Sequence, residues 1–221
     1  IIPTPYWVSY SEIARLTGGE VKFLPTTAAQ GYKITPEALD REITPNTRLF
    51  IFSSPCNPSG AVYSMEELKG LAGVFEKHPQ VLIISDEIYE YINYTGHKHC
   101  SIASFENLKD RVIIVNGLRK GFAMTGWGIG YIAAHKDIAK ACEKIQGQFT
   151  SGTNAVAQRA AITALTSPLD ASFEMVKQFA ARRERVMELM KGLPYFNCDP
   201  PDGAFYVFPE IHNYFGKSDG D

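Results

Sequence analysis

Short apolar runs that alternate with helical patterns constrain the fold of this 221-residue chain more than any other feature. The runs lie at residues 20–24, 49–53, 81–85 and 111–115. They are apolar on both faces, as are strands of a parallel sheet that is covered on both sides. Strands that alternate with helices predict an α/β protein with a mostly parallel sheet and flanking helices.

Helix start signals lie between these runs. Thr35 precedes Pro36, which places an N-cap residue before a proline at the first helical position. Ser64 and Glu67 have the spacing of a capping box, which predicts a helix to about Lys77. Further helices are predicted at residues 9–16, 136–146, 154–165 and 169–190.

The helical pattern after residue 134 predicts a division of the chain near residue 168. Residues 1–168 are interpreted as part of a large cofactor-binding domain, and residues 169–221 as a connecting helix and part of a small domain. A strand is predicted at 204–208 within the second piece. About 50 residues are too few for a complete domain with a sizeable core.

Composition excludes several classes of function. The net charge of −2 provides no basic surface for nucleic acid, and no apolar run approaches the 18 residues of a membrane span. The four cysteines lie far apart, which favours free thiols in the cytoplasm. The segment 97–100 (His-Lys-His-Cys) is interpreted as a polar surface loop rather than a metal site, because no second ligand pair has metal spacing.

Polar residues follow three of the predicted strands. Asn57 follows the second run, Asp86 and Tyr89 follow the third, and Lys120 follows the fourth. Each has a structural alternative, as a turn residue, an N-cap, a core residue or a solvated lysine. Because ligands of open parallel sheets bind at the carboxyl ends of the strands, their convergence favours a binding site.

These side chains suit one kind of cofactor. Partial burial favours an uncharged lysine amine, which is a nucleophile towards aldehydes. An aspartate pairs with a protonated ring nitrogen, and amide and phenol groups donate hydrogen bonds to a phenolate oxygen. Pyridoxal 5′-phosphate (PLP) has this combination of aldehyde, ring nitrogen and phenolate oxygen, and its ring acts as an electron sink.

Three segments carry a family resemblance that extends over essentially the whole chain. They are SSPCNPSGAVYS (53–64), SDEIYEYINY (85–94) and NGLRKGFAMTGWGIGY (116–131). In this order they resemble the fold-type I aminotransferases of class I/II. This is the aspartate aminotransferase superfamily, and the similarity is strongest to its prokaryotic aspartate/prephenate subgroup.

The resemblance implies a role for each site residue. Lys120 would bind the cofactor aldehyde covalently and transfer the substrate proton. Asp86 would pair with the ring nitrogen, and Asn57 and Tyr89 would hydrogen-bond the 3′ oxygen. Trp7 would stack on the ring, although a role as a core tryptophan at a domain surface is its structural alternative. Residues 203–206 would line the substrate side.

The resemblance also implies a reaction and partners. The reaction would be amino-group transfer between an amino acid and a 2-oxo acid, in a homodimer. The alternatives are β-elimination on a sulfur amino acid (a C–S lyase) and a catalytically impaired fragment or pseudoenzyme. A nucleotide-binding α/β protein is disfavoured, because no glycine-rich phosphate motif follows a strand.

Two departures from the family pattern bear on activity. Gly128 stands where the family has an arginine that grips the cofactor phosphate, and Arg119 stands where it has serine or alanine. Arg119 would either supply a replacement charge to the phosphate or point into solvent. Family members are also longer at both ends, so the sequence is interpreted as an internal fragment.

Overall fold

The computed structural model describes residues 1–218, and within them strands and helices alternate as predicted. The strands are β1 (Ile2–Thr4), β2 (Phe23–Pro25), β3 (Leu49–Ser53), β4 (Leu82–Asp86), β5 (Val112–Gly117) and β6 (Gly130–Ala133). The α-helices are α1 (Ser9–Leu16), α2 (Pro36–Glu42), α3 (Met65–Lys77), α4 (Lys136–Phe149), α5 (Ala155–Thr166) and α6 (Asp170–Met190).

The main sheet has the strand order β3-β4-β5-β6, with β3, β4 and β5 parallel and β6 antiparallel to β5. β1 and β2 form a separate parallel pair. The N-terminal end of this pair meets β3, because the Ile51 amide donates to the Ile1 carbonyl at 3.0 Å. The predicted α/β class with a mostly parallel sheet is confirmed, and the antiparallel strand β6 is an addition to it.

Local sequence explains where the helices begin. The Ser64 hydroxyl accepts a hydrogen bond from the Glu67 amide at 3.2 Å, and the Glu67 carboxylate accepts from the Ser64 amide at 2.7 Å. This capping box satisfies donors that the first turn of α3 leaves open. At the start of α2 the Thr35 hydroxyl alone acts as the cap, because it accepts a hydrogen bond from the Ala38 amide at 3.2 Å. Both predicted helix starts are confirmed.

The main core lies between the sheet and helices α2 and α3. Phe50 of β3 and Leu71 and Phe75 of α3 are fully buried in it. Burial of each such side chain stabilises the fold by roughly 1.5–3 kcal/mol. The Arg111 guanidinium joins the end of α3 to the start of β5, because it donates to the Phe75 carbonyl at 3.0 Å and the His78 carbonyl at 3.1 Å. These contacts fix the position of β5 relative to α3. The opposite, carboxyl ends of the strands form the candidate site.

Two of the predicted strands differ from the observed ones: one does not form, and the other is shifted along the chain. Residues 204–208 do not form a strand, because Ala204 adopts a left-handed conformation with φ +57°, which breaks an extended run. Pairing there is limited to an isolated bridge between Gly203 and Asn93 and a bond from the Ala204 amide to the Ile92 carbonyl at 2.8 Å. The strand predicted at 20–24 is instead β2, where it pairs with the three residues of β1.

The segment 97–100 is only partly the solvated loop that the sequence predicts. His97 and Lys98 are exposed, but the His99 side chain is 12% exposed and its Nε2 lies 2.8 Å from Oε2 of the buried Glu87. Among residues 1–218, no three His, Cys, Asp or Glu side chains come together as metal ligands. Over the same residues, no helix is long and apolar enough to cross a membrane.

The division near residue 168 stays a prediction. It coincides with the short connection between α5 and α6, since α6 begins at Asp170. The last three residues of the predicted second piece, 219–221, lie outside the described residues.

Candidate active site

The register of the parallel strands brings three polar loops to one edge of the sheet. Ser53, the last residue of β3, pairs with Asp86, the last residue of β4, and Asp86 lies beside Val115 of β5. Backbone bonds continue past the strand ends, from the Ser54 amide to the Asp86 carbonyl at 3.1 Å and from the Glu87 amide to the Val115 carbonyl at 2.9 Å. The loops that carry Asn57, Tyr89 and Lys120 therefore all leave from this edge, as predicted.

Asp86 is a buried carboxylate with one donor on each oxygen. The Tyr10 hydroxyl donates to Oδ2 at 2.5 Å, and the Ile88 amide donates to Oδ1 at 3.2 Å. Burial raises the pKa of Asp86, while the Tyr10 and Ile88 bonds lower it. Each carboxylate oxygen accepts more than one hydrogen bond, so Asp86 retains capacity for a further donor such as a protonated ring nitrogen.

Lys120 lies among aromatic rings. Its Nζ is 5.2 Å from the ring centroid of Phe205 and 5.7 Å from that of Tyr89. The side chain is half-buried, and within residues 1–218 its amine makes no hydrogen bond or ion pair. Apart from these ring contacts, no group among residues 1–218 binds the amine, which leaves it open to a carbonyl group.

Tyr89 links Lys120 to the segment after α6. It is 2% exposed, and its hydroxyl lies 2.6 Å from the Tyr206 hydroxyl. Burial raises the pKa of Tyr89, and the bond to Tyr206 raises it further. Tyr89 is therefore protonated near neutral pH and can donate a hydrogen bond. Phe205 and Tyr206 belong to the segment 203–206, for which the family resemblance implies a position on the substrate side.

Trp7 and Asn57 occupy the predicted neighbourhood with fewer contacts. Trp7 is 42% exposed, which disfavours a core role, and its ring stands edge-on to Tyr10 with centroids 5.5 Å apart. Asn57 is half-buried, and within the described residues its side chain makes no hydrogen bond. Its turn packs against the later segment, because Gly60 (φ +72°) accepts from the Gly203 amide at 2.9 Å. A Cβ on Gly60 would lie 2.3 Å from that of Pro201, so glycine is required there.

The segment 119–128 is the exposed part of the site. Arg119 is exposed, and within residues 1–218 its guanidinium makes no ion pair. Gly128 has φ +61°, and a Cβ added to it would meet nothing within 4 Å. An arginine at this position would therefore have open space, at a backbone cost of roughly 1–2 kcal/mol for the left-handed conformation.

Sequence reasoning missed Tyr10, the residue with the shortest contact to Asp86. Only a weak signal in the sequence marks this role, because a tyrosine in the first turn of a helix is typical of any amphipathic face. The contact joins residues 76 positions apart in the chain, which no local pattern predicts.

Comparison with known proteins decides the family. The family model for aminotransferases of class I and II matches residues 1–218. The chain belongs to this family. Aminotransferases of this family depend on PLP, so the family and cofactor that the motifs predict are confirmed.

Individual relatives agree with this assignment. The chain is 42% identical over 219 residues to a bifunctional aspartate aminotransferase and glutamate/aspartate-prephenate aminotransferase of Petunia hybrida, with 98% of this chain and 46% of that protein covered. It is 45% identical over 210 residues to an aspartate aminotransferase of Geobacillus stearothermophilus, with coverage of 95% and 53%. The crystal structure of an aspartate aminotransferase from Rhizobium meliloti superposes with a TM-score of 0.92 at 39% identity, over 94% of this chain and 52% of that one. The chain thus spans about half the length of the relatives it matches.

Proposed function

We propose that this protein binds PLP at the sheet edge and transfers amino groups between an amino acid and a 2-oxo acid. The observation that carries the proposal is the combination of a buried, hydrogen-bonded carboxylate at Asp86 with an amine at Lys120 that makes no ion pair. The names of the relatives support aspartate or glutamate as the amino donor.

The residues present fit the reactive end of the cofactor. Asp86 would accept a hydrogen bond from the ring nitrogen, and Tyr89 and Asn57 would donate to the 3′ oxygen. Trp7, exposed beside the sheet edge, would cover one ring face, where an aromatic contact contributes roughly 0.5–1.5 kcal/mol beyond its buried area. When bound, PLP supplies an electron sink for the negative charge that develops at the substrate α-carbon.

Lys120 would perform the proton transfer. Its Nζ would take the proton from the substrate α-carbon and deliver it to C4′, the aldehyde carbon of the cofactor, as a positioned general base and acid. The rings of Tyr89 and Phe205, whose centroids lie 5.7 and 5.2 Å from this Nζ, cover the amine on one side. Phe205 and Tyr206 would place the substrate against this amine.

The remaining assignments are part of the same proposal. A homodimer and a cytoplasmic location are supported by the family resemblance, and the location also by four cysteines that all remain free thiols. Residues 1–168 would hold the cofactor, and residues 169–221 would contribute α6 and the segment after it to the substrate side.

An impaired enzyme is the second candidate, and the open position at Gly128 favours it. Without the arginine that grips the phosphate, the cofactor would bind more weakly. A β-elimination reaction would use the same cofactor residues, and product analysis separates it, since it releases ammonia where transamination releases a new amino acid.

The test is the visible absorbance of the purified chain with PLP, compared with Lys120→Ala. Lys140→Ala is the matched control, because Lys140 is an exposed lysine of α4. We expect the visible absorbance band of PLP attached to a lysine amine in the parent and in Lys140→Ala. The band should be absent in Lys120→Ala. Absence of the band from a parent chain that circular dichroism shows to be folded would favour the impaired enzyme.

A further inference from the structure

The Tyr10 hydroxyl is a buried polar group in direct contact with the Asp86 carboxylate. Tyr10 is 6% exposed and packs in an apolar cluster with Ile2 and Ile51. Its hydroxyl donates to Oδ2 of Asp86 at 2.5 Å, which ties α1 to the end of β4. A buried hydroxyl without a partner would cost roughly 1–3 kcal/mol, so this bond also stabilises the packing of α1 on the sheet.

We propose that Tyr10 is a positioning residue that orients the Asp86 carboxylate and keeps it ionised for the cofactor ring nitrogen. The proposal rests on the proposed binding of PLP. It assigns to Tyr10 no contact with the cofactor or substrate, and its effect passes through Asp86.

The geometry fixes the carboxylate from two sides. Tyr10 holds Oδ2 from α1, and the Ile88 amide holds Oδ1 from the backbone beyond β4. Rotation about the Cβ–Cγ bond would break both hydrogen bonds at once. The free lone pairs of Asp86 therefore keep one direction, and a ring N–H would meet an acceptor that is already aligned.

The charges around Asp86 explain why it needs this donor. Burial disfavours the carboxylate, and the neighbouring carboxylate of Glu87 adds to the rise in the pKa of Asp86. Two other titratable groups face this pair. Cys56 contributes to the raised pKa of Tyr10, and Asp86 contributes to the raised pKa of Tyr89. Burial, and then Asp86, raise the pKa of Tyr10, so the phenol stays protonated and remains a donor. The hydrogen bond from Tyr10 thus lowers the pKa of Asp86, against the rise that burial and the charge of Glu87 cause.

Trp7 lies just before α1, three residues ahead of Tyr10. The Tyr10 amide donates to the Trp7 carbonyl at 2.9 Å, and the two rings meet edge-on. A variant must therefore keep the ring of Tyr10 and remove the hydroxyl alone, which Tyr10→Phe does.

Tyr6→Phe is the matched control. Tyr6 lies in the same segment and also loses only a hydroxyl, whose partner is Ser11 Oγ at 3.2 Å rather than Asp86. Both variants are first compared with the parent by thermal melting, so that a general loss of stability is recognised.

The first measurement is a carbon-13 carboxyl titration of Asp86 in the protein without cofactor, assigned with Asp86→Asn. We expect Tyr10→Phe to increase the proton affinity of Asp86 about tenfold, because a hydrogen bond to the charged form is lost. Tyr6→Phe should match the parent. Identical titrations in Tyr10→Phe and Tyr6→Phe would overturn the proposal.

The second measurement compares the affinity for PLP with that for an analogue in which carbon replaces the ring nitrogen. We expect Tyr10→Phe to bind PLP about tenfold more weakly and the analogue unchanged. Equal losses for both ligands would show a merely structural role and overturn the proposal. If the parent binds neither ligand, the proposed function fails and the cofactor role of Tyr10 fails with it, while the titration still decides whether Tyr10 keeps Asp86 ionised.

Discussion

The two ends of the candidate cofactor site are built in opposite ways. Asp86, at the carboxyl end of a central strand, is buried and holds a hydrogen bond on each oxygen. The segment 119–128, which follows β5, is mostly exposed; within residues 1–218 the Arg119 side chain makes no hydrogen bond or ion pair, and Gly128 has open space around it. One end is set by the sheet and the other by a loop.

This difference indicates which part of the site tolerates substitutions. At the sheet edge, backbone pairs on both sides of Asp86 determine where its side chain points, so a substitution disturbs several partners at once. In the loop, Gly128 has open space around it, so an added side chain displaces nothing. We therefore expect PLP affinity to fall on substitution of Asp86, to rise on substitution of Gly128, and to change little on substitution of Arg119.

The largest effect is expected for Asp86→Asn. Loss of a charged hydrogen-bond acceptor costs roughly 1.5–3 kcal/mol, or about 10- to 100-fold in PLP affinity. The measurement is a PLP titration beside Asp110→Ala, which removes an exposed carboxylate. Equal affinities in Asp86→Asn and Asp110→Ala would contradict the assignment of Asp86 to the ring nitrogen.

The parent should also show a pH dependence that Asp86→Asn lacks. Because burial raises the pKa of Asp86 above its ordinary 3.8, PLP affinity should fall as the pH is lowered through the raised pKa. The contribution of Asp86 to folding stability has the opposite sign: it is fully present below 3.8 and is lost as the pH rises through the raised pKa. A PLP affinity with the same acid dependence in parent and variant would assign the titration to another group.

An intermediate effect is expected for Gly128→Arg. A charged contact to the phosphate contributes roughly 1.5–3 kcal/mol, and the left-handed backbone costs roughly 1–2 kcal/mol, so the net gain is at most about 2 kcal/mol, or up to about 30-fold tighter PLP binding. Gly126→Arg is the control, because it adds the same charge two residues away in equally open space. Equal gains from both variants would indicate general attraction of an anion rather than a specific contact.

The smallest effect is expected for Arg119→Ala. Its guanidinium is exposed, and exposed charge pairs contribute roughly 0–1 kcal/mol, so PLP affinity should fall by less than about fivefold. Arg159→Ala, in the exposed face of α5, is the comparison. A loss as large as that of Asp86→Asn would mean that Arg119 replaces the missing phosphate arginine.

Local signals in the sequence determined much of the fold. Caps at Thr35 and Ser64 begin helices where predicted, because their hydrogen bonds close within three residues. The runs at 49–53, 81–85 and 111–115 form neighbouring strands, displaced by no more than two residues. With the strands placed, the convergence of the loops that carry Asn57, Tyr89 and Lys120 follows from the rule for parallel sheets.

Tertiary structure decided the rest. The bond between Tyr10 and Asp86, the contact of Tyr89 with Tyr206 and the bend at Ala204 join or reshape segments by packing, over separations of up to 117 residues. No propensity or period encodes such contacts, because they depend on which surfaces meet after the sheet has formed. The amino-acid sequence by itself thus determined which groups reach the site edge, and only the packed chain decided which hydroxyl holds the carboxylate there.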